Sequence, residues 1–288
     1  MVTLAVDAAC TLGETPLWHP AEERVFWVDI DAGRLHSYTP ETEEHRIVYE
    51  SPGGEQIGAF TLQDTGGLLL FQTAGSVAWL NNGEPSTVID GIAGEDGRRF
   101  NDVIADPQGR VFCGTMKEGD FSAGRVYRLN TDGTIDRVIE DIGLPNGMGF
   151  SPDHSQLYVT DSSANVIYTY DYTAETGEIS NPTEFARRDP NDGYFDGLTV
   201  DATGAVWSAL WGAGAIGKHE PDGSMSRQIT IPATNVTSLT FGGDQLETLF
   251  ITSAVADEDG SDQPGGGLFM VSGVGVGMPE LFSAVTMP

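Results

Sequence analysis

Four polar residues recur at one position of a repeated pattern. Glu14, Asn101, Asn146 and Asp196 each stand six residues before a turn residue, namely Pro20, Pro107, Pro152 and Ala202. Gly58 holds the same place before Asp64, and a sixth, less regular place falls near Ser238. Brought together, two carboxylates and two carboxamides with no lysine nearby would repel one another unless a cation sat between them. All-oxygen ligation suits a hard or borderline divalent ion, with Ca, Mg, Mn and Zn as the candidates. Asn146-Gly147 and Asp196-Gly197 can each be read singly as ordinary turn formers. Turn chemistry does not explain why Glu14 shares their phase.

Residues so far apart in sequence meet only if the fold repeats. A unit made of a short apolar strand, a polar turn and a second aromatic-rich strand occurs six times. Its second-strand anchors are Trp27, Leu70, Phe112, Tyr158, Trp207 and Phe250, at a spacing of roughly 42 to 49 residues. That period, with several short strands per unit, is the sequence sign of propeller blades. The expectation is an all-β, six-bladed β-propeller forming a single domain over residues 1–288. Val2 to Val6 is expected to supply the outer strand of the last blade, because an open sheet edge is a liability. Residues 256–267 read as an acidic, Gly-rich, exposed loop.

Composition narrows the partners. The chain has 288 residues, with 43 Asp plus Glu against 14 Lys plus Arg, for a formal charge of -29. Phosphate is repelled by such a surface, so a nucleic-acid partner is excluded. The acidic residues are spread along the chain, which fits adaptation to high salt, where the Debye length falls to about 3 Å near 1 M. Cys10 and Cys113 are the only cysteines and make no disulfide framework. Met1 to Cys10 lacks a basic segment and contains Asp7, so it is not read as a signal peptide. No stretch approaches the roughly 18 apolar residues of a membrane span. A cytoplasmic monomer or small homo-oligomer is expected.

Leu12-Gly-Glu-Thr-Pro-Leu-Trp18, Arg99-Phe-Asn-Asp102, Cys113-Gly-Thr-Met116, Pro145-Asn-Gly-Met148 and Phe195-Asp-Gly-Leu198 stand in order, followed by Ala209-Leu-Trp-Gly212 and Thr237-Ser-Leu-Thr-Phe-Gly-Gly243. The ordered set resembles the gluconolactonase and regucalcin-like (senescence marker protein) family of sugar lactonases over essentially the whole chain. The resemblance implies metal ligands at Glu14, Asn146 and Asp196, with substrate contacts at Arg99 and Asn101. It also implies general-base work for Asp196. An acidic substrate contact of some members falls here on Gly119, and the adjacent Glu118 is the candidate to replace it. The motif Pro-Asp-Gly-Leu is Phe-Asp-Gly-Leu here, a change that leaves the ligand in place.

The implied reaction is metal-dependent opening of an aldonolactone, such as a xylono-, arabinono- or gluconolactone. A cyclic ester needs an electrophile at its carbonyl, an activated water and a proton for the departing alkoxide. Two rivals remain at this stage, a non-catalytic propeller serving as an interaction platform and a phosphotriester hydrolase using the same residues. Gly212-Ala-Gly-Ala-Ile-Gly217 fits a dinucleotide fingerprint in spacing only, since Lys-His-Glu-Pro-Asp-Gly follows it rather than a helix.

Overall fold

Runs rich in β-branched and aromatic residues, cut by Gly, Asp and Asn turns, favour short strands. The computed structural model describes residues 1–256 and 265–287, and among these it has 24 strands. After β1 (Thr3–Val6), the first four-stranded sheet is β2 (Gly13–His19), β3 (Arg24–Asp29), β4 (Arg34–Thr39) and β5 (Glu44–Glu50). The second is β6 (Ala59–Leu62), β7 (Leu68–Phe71), β8 (Val77–Asn81) and β9 (Glu84–Ile89). The third is β10 (Arg99–Ala105), β11 (Val111–Lys117), β12 (Asp120–Leu129) and β13 (Ile135–Ile142). The fourth is β14 (Pro145–Phe150), β15 (Gln156–Asp161), β16 (Val166–Thr173) and β17 (Glu178–Arg187). Each is an antiparallel meander.

The remaining strands are β18 (Tyr194–Val200), β19 (Val206–Trp211), β20 (Ala215–His219), β21 (Met225–Thr230), β22 (Asn235–Gly242), β23 (Thr248–Ala254) and β24 (Leu268–Ser272). With β1 they form one eight-stranded sheet. The expectation of six blades, the last closed by the N-terminal strand, is therefore corrected. The described residues give four propeller-like blades and one wide sheet. Trp211, at the end of β19, pairs with Asn235 at the start of β22 and carries the ladder across. β1 is an edge strand of that sheet, in register with β24 through Leu4 and Phe269.

The first strands β2, β6, β10, β14, β18 and β22 pack each against the next, and β22 packs against β2, so they close a ring. Apolar cores fill the spaces between neighbouring sheets. Phe71 and Phe100 meet edge to face at 5.2 Å between the second and third sheets, and Phe112 meets Phe150 at 6.2 Å between the third and fourth. Each large apolar side chain so enclosed contributes about 1.5–3 kcal/mol by burial.

Beyond β24 the chain crosses several sheets without adding a strand. Gly277 N donates to Leu246 O, Ser283 N to Leu62 O, Ala284 N to Gly109 O and Thr286 N to Thr131 O, at 2.7–2.8 Å. The buried Ser283 hydroxyl also lies 2.9 Å from Thr61 Oγ1 and donates to Gln63 Oε1 at 2.8 Å. Of the acidic loop expected at 256–267, residues 257–264 lie outside the described residues. No helix among the described residues is long and apolar enough to cross a membrane.

Candidate active site

The inner strands share one irregularity. Register shifts fall between Glu14 and Leu17 in β2, Phe100 and Val103 in β10, Pro145 and Met148 in β14, and Phe195 and Leu198 in β18. β22 shifts between Val236 and Ser238, whereas the pairing of β6 with β7 has no shift. A bulge inserts an unpaired residue and re-aims its side chain, which is why bulges gather at barrel rims and active sites. Asn101, Asn146 and Asp196 sit in these bulges, and Glu14, paired with Val28, stands at the edge of one. Gly58, just ahead of the regular strand β6, brings no side chain. The two Asn/Asp-Gly pairs are thus strand residues and not turns. Their glycines permit close approach of neighbouring inner strands: a Cβ on Gly147 would stand 2.2 Å from Leu198 N, and one on Gly197 2.2 Å from Ser238 Oγ.

These side chains open into one cavity of about 860 Å³. Its walls include all six residues singled out from the sequence: Glu14, Arg99, Asn101, Glu118, Asn146 and Asp196. A pocket of that size suits a small organic ligand. Arg99 donates from Nη1 to Asn101 Oδ1 at 2.7 Å and to Phe100 O at 3.0 Å. Asn101 Nδ2 donates in turn to Pro145 O at 2.9 Å, tying β10 to β14. Glu118 Oε1 lies 3.6 Å from Arg99 Nε and accepts from Gln56 Nε2 at 3.1 Å. Phe121 and Tyr194 are exposed large side chains at the wall, and Trp211 joins them.

The deep end is acidic. Burial first, then the charges of Asp196 and Asp102, pushes Glu14 well above the usual carboxylate range. Burial, followed by Asp102, does the same to Asp196. Asp102 is pushed up to about 7 by desolvation, against a hydrogen bond from Val103 N. Three like charges so enclosed are unfavourable as anions unless a positive charge joins them. Asn146 donates from Nδ2 to Ser162 Oγ at 3.2 Å, while its buried Oδ1 has no hydrogen-bond partner. An orphaned carbonyl oxygen beside two buried carboxylates is a donor set that fits a divalent cation.

Residues 12–255 match the model of the SMP-30/gluconolactonase/LRE-like region. The chain belongs to this family. Among SMP-30/gluconolactonase relatives, it is 42% identical to the pentonolactonase XacC of Haloferax volcanii, over 99% of both chains. It is 32% identical to a 6-deoxy-6-sulfogluconolactonase of Pseudomonas putida, covering 84% of this chain and 83% of the relative. A crystal structure of a calcium-binding regucalcin from Agrobacterium tumefaciens superposes with a TM-score of 0.89 at 25% identity, covering 97% and 96% of the two chains.

Several residues of the site escaped the sequence reading. Asp102 follows Asn101 directly but faces a small separate pocket rather than the cavity, and it reaches Glu14 and Asp196 only through its charge. Asp31 and Gln56 belong to loops with no repeated phase; Gln56 Nε2 bonds Asp31 Oδ1 at 2.9 Å and bridges it to Glu118. Ser162, which holds the Asn146 amide, lies just past the end of β15.

Proposed function

We propose that this chain hydrolyses a sugar-derived lactone, a pentonolactone in the first instance, to the aldonic acid, as a single domain over residues 1–288 with one divalent metal ion. The observation that carries this reading is the gathering of Glu14, Asn146 and Asp196 at the floor of the cavity whose wall holds Arg99, Asn101 and Glu118. The 42% identity to a protein named a pentonolactonase supports the substrate class. The calcium-binding regucalcin relative supports the metal, with calcium as one candidate ion.

Glu14, Asn146 and Asp196 would hold the ion. When bound, such an ion supplies Lewis acidity toward a carbonyl oxygen and favours ionisation of water. Asp196 takes the proton from the attacking water, typically contributing about 10² to 10⁴ in rate. Water oxygen joins the carbonyl carbon, the ring C–O bond breaks, the alkoxide receives the proton that Asp196 took, and the new carboxyl releases its proton to solvent, so the products are a carboxylate, a free hydroxyl and one proton. Arg99 and Asn101, locked to each other at 2.7 Å, orient the sugar hydroxyls. Glu118 supplies a hydroxyl acceptor at the cavity mouth. The surface charge of -29 is consistent with a working environment of high salt.

A side-by-side assay separates the reactions open to such a site. Acid release from pentono- and hexonolactones is followed by pH-stat, next to hydrolysis of a phosphotriester. Lactone opening with the highest kcat/KM on a pentonolactone is expected. Faster turnover of the phosphotriester, or no lactone turnover in the metal-loaded protein, refutes the proposal.

A further inference from the structure

Cys10, Asp29 and His36 form a second cluster of ligating atoms, and none of them lines the cavity just described. One atom from each, the Cys10 sulfur, an Asp29 carboxylate oxygen and an His36 ring nitrogen, lies within 4.8 Å of the others. Cys10 is fully buried, while His36 and Asp29 are 3% and 4% exposed. Val6, Trp18, Val25, Trp27, Phe250 and Leu268 pack around them, and Arg34, opposite Asp29 in the ladder, is the nearby cation. Three polar groups gathered in such surroundings carry a desolvation cost that a shared ligand would offset.

The geometry suits a borderline cation. Cys10 Sγ and His36 Nε2 are 3.9 Å apart. Zinc–sulfur and zinc–nitrogen bonds at a tetrahedral angle place those atoms about 3.6 Å apart, so only a small closure is needed. His36 Nδ1 lies 2.9 Å from His45 Nε2, and Trp27 stacks on His36 with ring centroids 5.1 Å apart. With the Nδ1 proton donated to His45, the Nε2 lone pair is left facing Cys10, the arrangement in which a partner fixes the tautomer of a metal-binding histidine. Asp29 is held by Thr11 N and Leu12 N at 3.1 Å, one to each oxygen, which leaves a lone pair on each. Burial pushes the Cys10 thiol up to about 12 and His36 down to about 4, so without a metal the pair is neutral.

We infer that Cys10, Asp29 and His36 constitute a structural site for a zinc-like divalent cation, separate from the one proposed at Glu14, Asn146 and Asp196. Binding forms a metal–thiolate bond and releases the thiol proton to solvent. One thiolate and one carboxylate then balance the two positive charges. Cys10 lies in the segment after β1, Asp29 ends β3 and His36 lies on β4, so the ion fastens the N-terminal segment to the first blade.

The test uses the full chain with Glu14→Gln and Asp196→Asn in place, to silence the axial site, stripped with chelator and titrated with cobalt(II). One equivalent should bind with a thiolate-to-cobalt charge-transfer band in the near ultraviolet and raise the melting temperature. In the same background Cys10→Ser should abolish the band, Cys113→Ser should keep it, and His36→Gln should weaken cobalt binding about tenfold or more. His36→Gln leaves the thiol intact, so it remains informative if Cys10→Ser folds poorly. Absence of the band at saturating cobalt, or its survival in Cys10→Ser, overturns the inference.

Discussion

Glu118 Oε1 stands 3.6 Å from Arg99 Nε across the cavity mouth, with the Glu118 side chain 65% exposed and that of Arg99 only 7%. A buried guanidinium thus meets an acid that remains in water. The residue beside Gly119 occupies the wall where an acidic sugar contact would be useful, and Gln56 steadies it from the other side.

Because the pair is mostly solvated on one side, Glu118→Gln should cost less than about 1 kcal/mol of stability. Its effect should fall on substrate. Loss of one hydrogen-bond acceptor for a sugar hydroxyl predicts a rise in KM of about 2- to 10-fold with kcat nearly unchanged. Steady-state kinetics on a pentonolactone decide it; an unchanged KM removes Glu118 from the substrate contacts.

If Asp196 is the proposed base and ligand, Asp196→Asn should lower kcat by about 10²-fold or more. Glu14→Gln should mainly weaken metal affinity, read by calorimetry on chelator-stripped protein. Burial and neighbouring carboxylates disfavour both groups as anions, so a neutral amide at either place should not lower the melting temperature of the metal-free protein. Wild-type turnover in Asp196→Asn would take it out of the chemistry.

How far the sequence discloses this site depends on period and phase. Glu14, Asn101, Asn146 and Asp196 recur six residues ahead of a turn, and that regularity survives folding because each inner strand begins in the same way. The bulges beside them are invisible, since an extra residue in one strand leaves the distance from each polar residue to its turn unchanged. Asp102 lies outside that phase and faces a separate pocket, so no pattern marks it. The joint between Trp211 and Asn235 rests on a single ladder pair and leaves no pattern, so six equal units suggested six separate blades where hydrogen bonding makes four and a wide sheet. The tail from Gly273 meets the sheets through scattered residues, and such contacts have no periodicity to read.

Glu280 on that tail lines a small pocket with Asp102, and desolvation pushes its carboxyl from 4.5 up to about 7. Between those values the folded protein keeps a proton that the unfolded chain has released. The stabilisation is complete below pH 4.5 and is lost as pH rises through about 7. Glu280→Gln should therefore flatten the fall in melting temperature over that window and leave the variant the more stable at pH 8. Parallel melting curves for wild type and variant would refute this.

A formal charge of -29 makes self-repulsion a term that salt can relieve. Screening shortens the Debye length from about 10 Å at 0.1 M to about 3 Å at 1 M. The melting temperature should rise steadily between those concentrations of potassium chloride, more than for a chain near neutrality. A flat or falling curve would contradict adaptation to high salt.

The axial ion is tested most directly by acid release from a pentonolactone in a pH-stat, using protein freed of metal with a chelator and then given back calcium, magnesium, manganese or zinc in turn. Turnover should vanish on stripping, return with at least one of these ions, and fail to return at equal ion concentration in Glu14→Gln. Full turnover by the stripped wild-type protein would contradict a cation held by Glu14, Asn146 and Asp196.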